Sequence, residues 1–189
     1  MKRVFIIPGW GGLPNHGWYP WLEKELKAKG FDVYLPEMPD VDNPTMKAWV
    51  PFLAKLVKKA DRDTYFVGHS IGCQTILRYL QTVKEQIGGV IFVAGWFPYV
   101  TGLNAEEEAI AKPWVETPID FEKVRKVLKK SVAIFSDDDP FVPLSNTKTF
   151  EERLGSKIII LKKLGHFAQD VGNCYELPTA LTELLKMTR

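Results

Sequence analysis

The chain has 189 residues, the size of one ordinary domain. Its 25 Lys and Arg residues nearly balance 23 Asp and Glu residues, so a formal net charge of +2 provides no electrostatic basis for binding nucleic acid or a membrane surface. Apolar residues make up 46% of the chain and charged residues 25%, which is typical of a folded globular protein and excludes a disordered one.

The first residues place two cations before a short apolar run that ends at Pro8. A secretory signal needs about 7–15 apolar residues, so we interpret residues 4–7 as a buried strand. The apolar stretch at residues 90–100 is too short to span a bilayer. The two cysteines, Cys73 and Cys174, lack the number or spacing of a disulfide framework or metal site. The sequence therefore predicts a cytoplasmic protein without a membrane partner, metal or cofactor.

Six short apolar runs, rich in β-branched and aromatic residues, predict strands. They lie at residues 4–7, 31–35, 65–67, 90–94, 132–135 and 158–161. Apolar residues at helical spacing occur between the runs, as with Trp49, Leu53 and Leu56. This alternation predicts one α/β domain over residues 1–189, a doubly wound three-layer α/β/α sandwich. We expect a mostly parallel six-stranded sheet in the order 2-1-3-4-5-6.

Residues 96–118 interrupt this alternation with about two dozen residues that are rich in aromatic side chains. We interpret this segment as a short insertion with a long loop, a feature that is often functional in a compact domain. Its aromatic side chains either line a binding pocket or pack against the sheet, and the sequence leaves both open.

A G-x-S-x-G motif lies between the third strand pattern and a helix pattern. In Gly68-His69-Ser70-Ile71-Gly72, the strand–turn–helix context predicts a nucleophile elbow with Ser70 as the nucleophile. Glycine is required at both ends of such a turn, because a Cβ there would meet the crossing strand or helix. The alternative is a tight connection in which the serine has no chemical role.

A serine nucleophile needs a general base, and the chain has three histidines. His69 adjoins Ser70, so we expect its side chain to point away from that of the serine. His166 follows the last strand pattern, where its loop lies at the carboxyl edge of the sheet. We therefore predict His166 as the base and keep His16, in the loop after the first strand, as the competitor.

The acid that orients the base is expected between the serine and the histidine in chain order. Three consecutive aspartates, Asp137 to Asp139, follow the fifth strand pattern. We predict Asp139, which precedes Pro140, with Asp138 as the next candidate. A calcium loop is the other interpretation, but the alternate acidic spacing and the glycine of such a loop are missing.

An oxyanion formed at Ser70 needs nearby N–H donors. The glycine-rich residues 8–12 follow the first strand, which is the neighbour of the third strand in the expected order. We predict the backbone N–H groups of Trp10 and Ile71 as the two donors. Six side chains are candidates for an apolar substrate pocket, although they could equally be core: His16, Trp96, Phe97, Trp114, Phe141 and Phe167.

Several segments are similar to one family throughout most of the chain. They are Pro8-Gly9, Gly11-Gly12, His16-Gly17-Trp18-Tyr19, Met38-Pro39-Asp40, Gly68-His69-Ser70 with Gly72, Asp138-Asp139-Pro140-Phe141 and Gly165-His166-Phe167. With these, the chain resembles the small α/β-hydrolase family that includes the retinoblastoma-binding serine hydrolase. The resemblance implies a minimal α/β-hydrolase fold and a triad of Ser70, Asp139 and His166. The binding activity for which that hydrolase is named is not carried over, because residues 173–176 do not match the Leu-x-Cys-Glu type of sequence, so the sequence identifies no protein partner.

These observations predict a serine hydrolase without a cofactor. Its substrate would be a small molecule with an acyl group, a carboxylic ester, thioester or amide, cleaved through an acyl-enzyme on Ser70. The alternative function is a binding module that keeps the hydrolase scaffold but does not use the triad.

Overall fold

The computed structural model describes all 189 residues. The six strands are β1 (Arg3–Ile7), β2 (Asp32–Tyr34), β3 (Thr64–His69), β4 (Gly89–Val93), β5 (Ser131–Ser136) and β6 (Lys157–Leu161). The seven helices are α1 (Tyr19–Ala28), α2 (Met46–Val57), α3 (Ile71–Leu80), α4 (Ala105–Glu116), α5 (Phe121–Val127), α6 (Asn146–Leu154) and α7 (Pro178–Met187). All neighbouring strands are parallel, in the order β2-β1-β3-β4-β5-β6, which confirms the predicted fold class and strand order.

The central strands are buried along their length because helices cover both faces of a parallel sheet. Every residue of β3, β4 and β5 is buried, whereas the edge strand β6 has no buried residue. The helices form two packed groups: α1 contacts α7, while α2, α3, α5 and α6 contact one another in sequence. None of the seven helices is both long and apolar enough to cross a bilayer.

Half of the predicted insertion is helical, because α4 occupies residues 105–116. The expectation of a long loop is therefore wrong for these residues. The Asn104 side chain accepts hydrogen bonds from the first turn, and the Glu107 carboxylate accepts one from the Asn104 N–H, which is a capping box. This capping pattern is visible in the sequence and would have predicted the helix.

The sheet brings four loops to one edge, because the carboxyl ends of parallel strands share an edge. These loops follow β1, β3, β5 and β6. Ile7 at the end of β1 is in register with Gly68 of β3, and Ser136 at the end of β5 is in register with Leu161 of β6. The predicted residues Trp10, Ser70, Asp139 and His166 lie in these loops, and Ile71 follows Ser70 as the first residue of α3.

Candidate active site

Ser70 lies in the sharp turn that joins β3 to α3. Its backbone has φ 51° and ψ −120°, a conformation that residues with a Cβ rarely adopt, and its N–H donates to the Val93 carbonyl at 2.9 Å. Glycine is required beside it: a Cβ at Gly72 would lie 2.4 Å from the Ile7 carbonyl oxygen, and one at Gly68 would lie 2.7 Å from the Ile76 side chain. The turn thus holds Ser70 at the carboxyl edge of the sheet.

His166 lies in the loop after β6 and pairs with a carboxylate. Its Nδ1 is 2.8 Å from Asp139 Oδ2, and the side chains of His166 and Asp139 are 13% and 2% exposed. His16 makes no such pair, because its Nδ1 accepts the N–H of Leu13 within its own turn. The structure therefore brings an acid to the preferred histidine and not to the competitor.

The three consecutive aspartates have different partners. Asp139 Oδ1 accepts the N–H groups of Phe141 and Val142 at 2.9 and 3.0 Å, which turns Oδ2 towards His166. Asp138 instead accepts the Ser136 hydroxyl and the Gly165 N–H, and these hydrogen bonds lower its pKa.

Asp137 accepts the Lys163 N–H at 2.9 Å. Like Asp138, it therefore ties the loop after β5 to the loop after β6. The like charges that the sequence places side by side are each stabilised by N–H or O–H donors.

Ser70 and His166 line the same cavity, which has a volume of about 370 Å³. No hydrogen bond joins the Ser70 hydroxyl to the His166 imidazole, an arrangement that is common in unliganded hydrolases because such bonds often form only with substrate. Four of the six candidate pocket residues also line this cavity: His16, Trp96, Phe141 and Phe167.

Phe97 and Trp114 do not line the cavity, so their assignment to the pocket is wrong. Trp114 is 1% exposed, donates its indole N–H to the Pro44 carbonyl and packs edge-on against Trp49. Phe97 packs edge-on against Phe121 at the start of α5. Both rings belong to the packing that fixes the insertion on the domain, which was the alternative interpretation of these aromatics.

The two predicted oxyanion donors, Trp10 and Ile71, both line the cavity. Neither backbone N–H donates a hydrogen bond within the protein, and Ile71 is the first residue of α3, where helix N–H groups have no partner in the helix. The Trp10 indole donates to the Asp42 carbonyl at 2.9 Å, and Gly11 N–H donates to the Val41 carbonyl. These bonds tie the loop after β1 to the segment between β2 and α2.

Tyr19 and His69 also line the cavity, and the sequence interpretation assigned no role to either. His69 Nδ1 lies within hydrogen-bond distance of the Tyr19 hydroxyl, and its Nε2 lies 2.7 Å from the backbone oxygen of His166. Burial, with a further contribution from neighbouring His166, lowers the pKa of His69 to about 3. Both ring nitrogens are engaged, so this neutral histidine is not available to accept a proton from Ser70.

Metal ligands would be expected as a cluster of ionisable or imidazole side chains. The structure contains no group of three or more His, Cys, Asp or Glu side chains that could hold a metal ion.

Comparison with known proteins gives consistent results. A family described as serine hydrolase matches residues 4–184. Hydrolase YdeN from Bacillus subtilis is 31% identical over 173 residues, 90% of this chain and 88% of its own, and serine hydrolase RBBP9 from Rattus norvegicus is 31% identical over 168 residues, 87% of each chain.

Solved structures agree. The crystal structure of the ydeN product has a TM-score of 0.91 at 27% identity and covers 100% of this chain and 99% of its own. Est1E from Butyrivibrio proteoclasticus has a TM-score of 0.74 at 12% identity, covering 100% of this chain and 88% of its own, and so shares the fold. The predicted family resemblance is confirmed, and the chain belongs to the serine hydrolase family.

Proposed function

We propose that the protein hydrolyses neutral carboxylic esters through an acyl-enzyme on Ser70, with His166 as the base and Asp139 as the residue that orients it. The observation that carries this proposal is the His166–Asp139 pair, whose histidine lines the same cavity as Ser70. Thioesters and amides are open to the same chemistry. Nothing in the site favours the alternative of a non-catalytic binding module.

The hydrogen-bond pattern supports a direction for each proton transfer. A carboxylate only accepts, so His166 Nδ1 carries the hydrogen towards Asp139 and Nε2 is left with the lone pair that takes the Ser70 proton. Ser70 Oγ then attacks the acyl carbon, and the carbonyl oxygen becomes an oxyanion near the Trp10 and Ile71 N–H groups. One such donor typically contributes about 2.7–4 kcal/mol to the transition state.

The leaving alcohol takes the proton from His166 Nε2, and the acyl group remains on Ser70. Water then attacks the acyl-enzyme while His166 accepts one of its protons. When the tetrahedral intermediate collapses, that proton returns to Ser70 and the carboxylic acid leaves. The cycle consumes one ester and one water and requires no redox partner.

The cavity wall supports a preference for uncharged acyl groups. Apolar side chains such as Trp96, Phe141 and Phe167 line the same cavity as Ser70, and the acidic residues of the lining are Glu107 and Asp170, with no Lys or Arg. A carboxylate on the acyl chain would be repelled by the carboxylates of these two residues. Each repulsion would disfavour binding by about 1 kcal/mol in water.

This preference is measurable with two esters that share a leaving group. The kcat/KM for p-nitrophenyl butyrate is expected to exceed that for p-nitrophenyl hemisuccinate roughly five-fold or more. In the double variant Glu107→Gln with Asp170→Asn, the kcat/KM values for the two esters are expected to lie closer together. A wild type that hydrolyses the anionic ester as well as the neutral one would contradict the preference.

A fluorophosphonate probe tests the nucleophile directly. We expect labelling of the wild type and of Ser145→Ala, whose serine lies outside the cavity, and none of Ser70→Ala. The His166→Ala variant should react far more slowly, because the serine then lacks its base. A folded wild type that is neither labelled nor active on p-nitrophenyl esters would refute the hydrolase mechanism and favour the binding module.

The cytoplasmic location belongs to the same proposal. Both cysteines, Cys73 and Cys174, are buried free thiols, which supports a reducing compartment. Fractionation of the native cells tests this assignment.

A further inference from the structure

A buried chain of hydrogen bonds runs beside the catalytic residues and takes no part in the mechanism above. The Gly9 N–H donates to the Tyr19 hydroxyl at 3.1 Å, this hydroxyl contacts His69 Nδ1, and His69 Nε2 contacts the backbone oxygen of His166 at 2.7 Å. The Tyr19 and His69 side chains belong to residues that are each only 4% exposed. The low exposure of both residues limits the access of water to these bonds.

The direction of each bond follows from the chemistry of the groups. A backbone carbonyl only accepts, so His69 Nε2 carries a hydrogen and donates it to His166. In a neutral imidazole the other nitrogen is then an acceptor, so the Tyr19 hydroxyl donates to Nδ1 and in turn accepts the Gly9 N–H. Each of these hydrogen bonds therefore has one possible donor and one possible acceptor. The bonds cannot reverse direction, so they hold the three segments that they join in one arrangement.

The chain of bonds connects the three segments that supply the reaction. Gly9 precedes the oxyanion donor Trp10, and His69 precedes Ser70. The acceptor at the far end is the backbone of His166. A second ring N–H acts on the same loop, since the indole of the buried Trp18 donates to the Phe167 carbonyl at 3.0 Å. Two ring N–H groups therefore hold two successive carbonyls of the loop after β6.

This loop needs such external restraint. His166 is flanked by Gly165 and Phe167, with φ values of 50° and 55°. The left-handed region is unfavourable for a phenylalanine, and such conformations persist only where surrounding contacts enforce them. The bonds from His69 and Trp18 are contacts of that kind.

We propose that Tyr19 and His69 are positioning residues, which fix the backbone of His166 so that its imidazole Nε2 faces Ser70. They transfer no proton themselves. This inference rests on the proposed roles of Ser70 and His166 and adds two residues that act through them.

Tyr19→Phe tests the inference by removing one oxygen atom while keeping the ring. Tyr65→Phe is the matched control, because Tyr65 is an equally buried tyrosine on β3 that does not line the cavity. We expect Tyr19→Phe to lower kcat for p-nitrophenyl butyrate about tenfold or more, as small misplacements of catalytic groups do, with KM nearly unchanged. Tyr65→Phe should match the wild type in both constants.

Substitution of His69 provides a second test with a built-in rescue. The amide of glutamine reaches about as far as Nε2 and can donate to the His166 carbonyl, whereas the amide of asparagine reaches only the level of Nδ1. We therefore expect kcat to fall in the order wild type, His69→Gln, His69→Asn. If these variants do not fold, Trp18→Phe, which removes the parallel bond to Phe167, is expected to lower kcat in the same way.

A spectroscopic measurement separates positioning from a general loss of structure. The Nδ1 proton of His166, bonded to Asp139, should give a downfield NMR resonance that is lost in His166→Gln. We expect this resonance to shift in Tyr19→Phe and to stay in place in Tyr65→Phe.

The outcomes distinguish this inference from the proposed function. A folded wild type that the fluorophosphonate probe does not label and that does not hydrolyse p-nitrophenyl esters refutes the function of Ser70, whatever the variants do. An active wild type whose kcat and downfield resonance are unchanged by Tyr19→Phe refutes the positioning role alone. Equal kcat in His69→Gln and His69→Asn would also refute it.

Discussion

Neighbouring side chains of the same type have different tasks in this protein, because the backbone turns them towards different partners. Asp138 and Asp139 are adjacent in the chain, yet only Asp139 reaches the His166 imidazole. Asp138 is occupied by the Ser136 hydroxyl and the Gly165 N–H. The choice between the two candidate acids therefore depends on side-chain direction, which spacing alone cannot reveal.

Asparagine substitutions test this division. We expect Asp139→Asn to lower kcat for ester hydrolysis about ten-thousand-fold, because the amide no longer holds His166 in the tautomer that accepts the Ser70 proton. Asp138→Asn keeps an oxygen that accepts both of its hydrogen bonds, so kcat should fall only a few-fold. Steady-state kinetics on p-nitrophenyl butyrate measure both, and similar losses in the two variants would contradict the assignment.

The elements meet most closely where α3 crosses the end of β1. Gly72 lies in the first turn of α3. A Cβ at this position would lie only 2.4 Å from the Ile7 carbonyl oxygen and 2.6 Å from that of Pro8, which is too close for either contact. These are backbone atoms at and just after the carboxyl end of β1, so they cannot move aside as a flexible side chain would. The close approach places the N-terminus of α3 beside the loop after β1, where the proposed oxyanion donors lie.

Gly72→Ala is therefore expected to lower the free energy of unfolding by about 3 kcal/mol, the upper range for overpacked sites. Gly30→Ala is the control for the backbone alone, since its Cβ would meet open space but its φ is +84°. Gly30→Ala should lower the free energy of unfolding by about 1 kcal/mol. Urea denaturation measures both values, and a Gly72→Ala cost no larger than that of Gly30→Ala would show that α3 can shift away from β1.

For the whole molecule, the buried His69 links stability to pH. Its pKa is 6.5 in the unfolded chain and about 3 in the folded protein, chiefly because burial disfavours the charged form. As pH falls below 6.5, the unfolded chain binds a proton at this residue and the folded protein does not. The His69 contribution to stability is therefore complete above pH 6.5 and declines as pH falls towards 3.

The expected slope is about 1.4 kcal/mol of unfolding free energy per pH unit within that window. His69→Gln removes the titrating group, so its free energy of unfolding should depend less on pH between 6.5 and 5 than that of the wild type. Urea denaturation of both proteins at several pH values measures their free energies of unfolding. The wild-type value minus the His69→Gln value isolates the contribution of His69, because the carboxylates contribute equally to both proteins. Parallel pH profiles for the two proteins would mean that His69 titrates normally.

Much of this architecture was predictable from local patterns. Continuous apolar runs identify strands covered on both faces, and the G-x-S-x-G motif between a strand and a helix identifies the turn at Ser70. The loops that carry Asp139 and His166 were located because each follows a strand of a parallel sheet. The helix α4 was missed, although the Asn104–Glu107 capping pattern stands in the sequence.

The amino-acid sequence by itself indicated the family, the fold class, the nucleophile and short lists of candidates for the base and the acid, because these depend on periodicity and on motifs within a few residues. Only the tertiary structure decided which aromatic rings line the cavity, and that Tyr19 and His69 reach the backbone of His166. The physical reason is distance along the chain: His69 and His166 are 97 residues apart, and only the packing of the sheet brings such groups into contact.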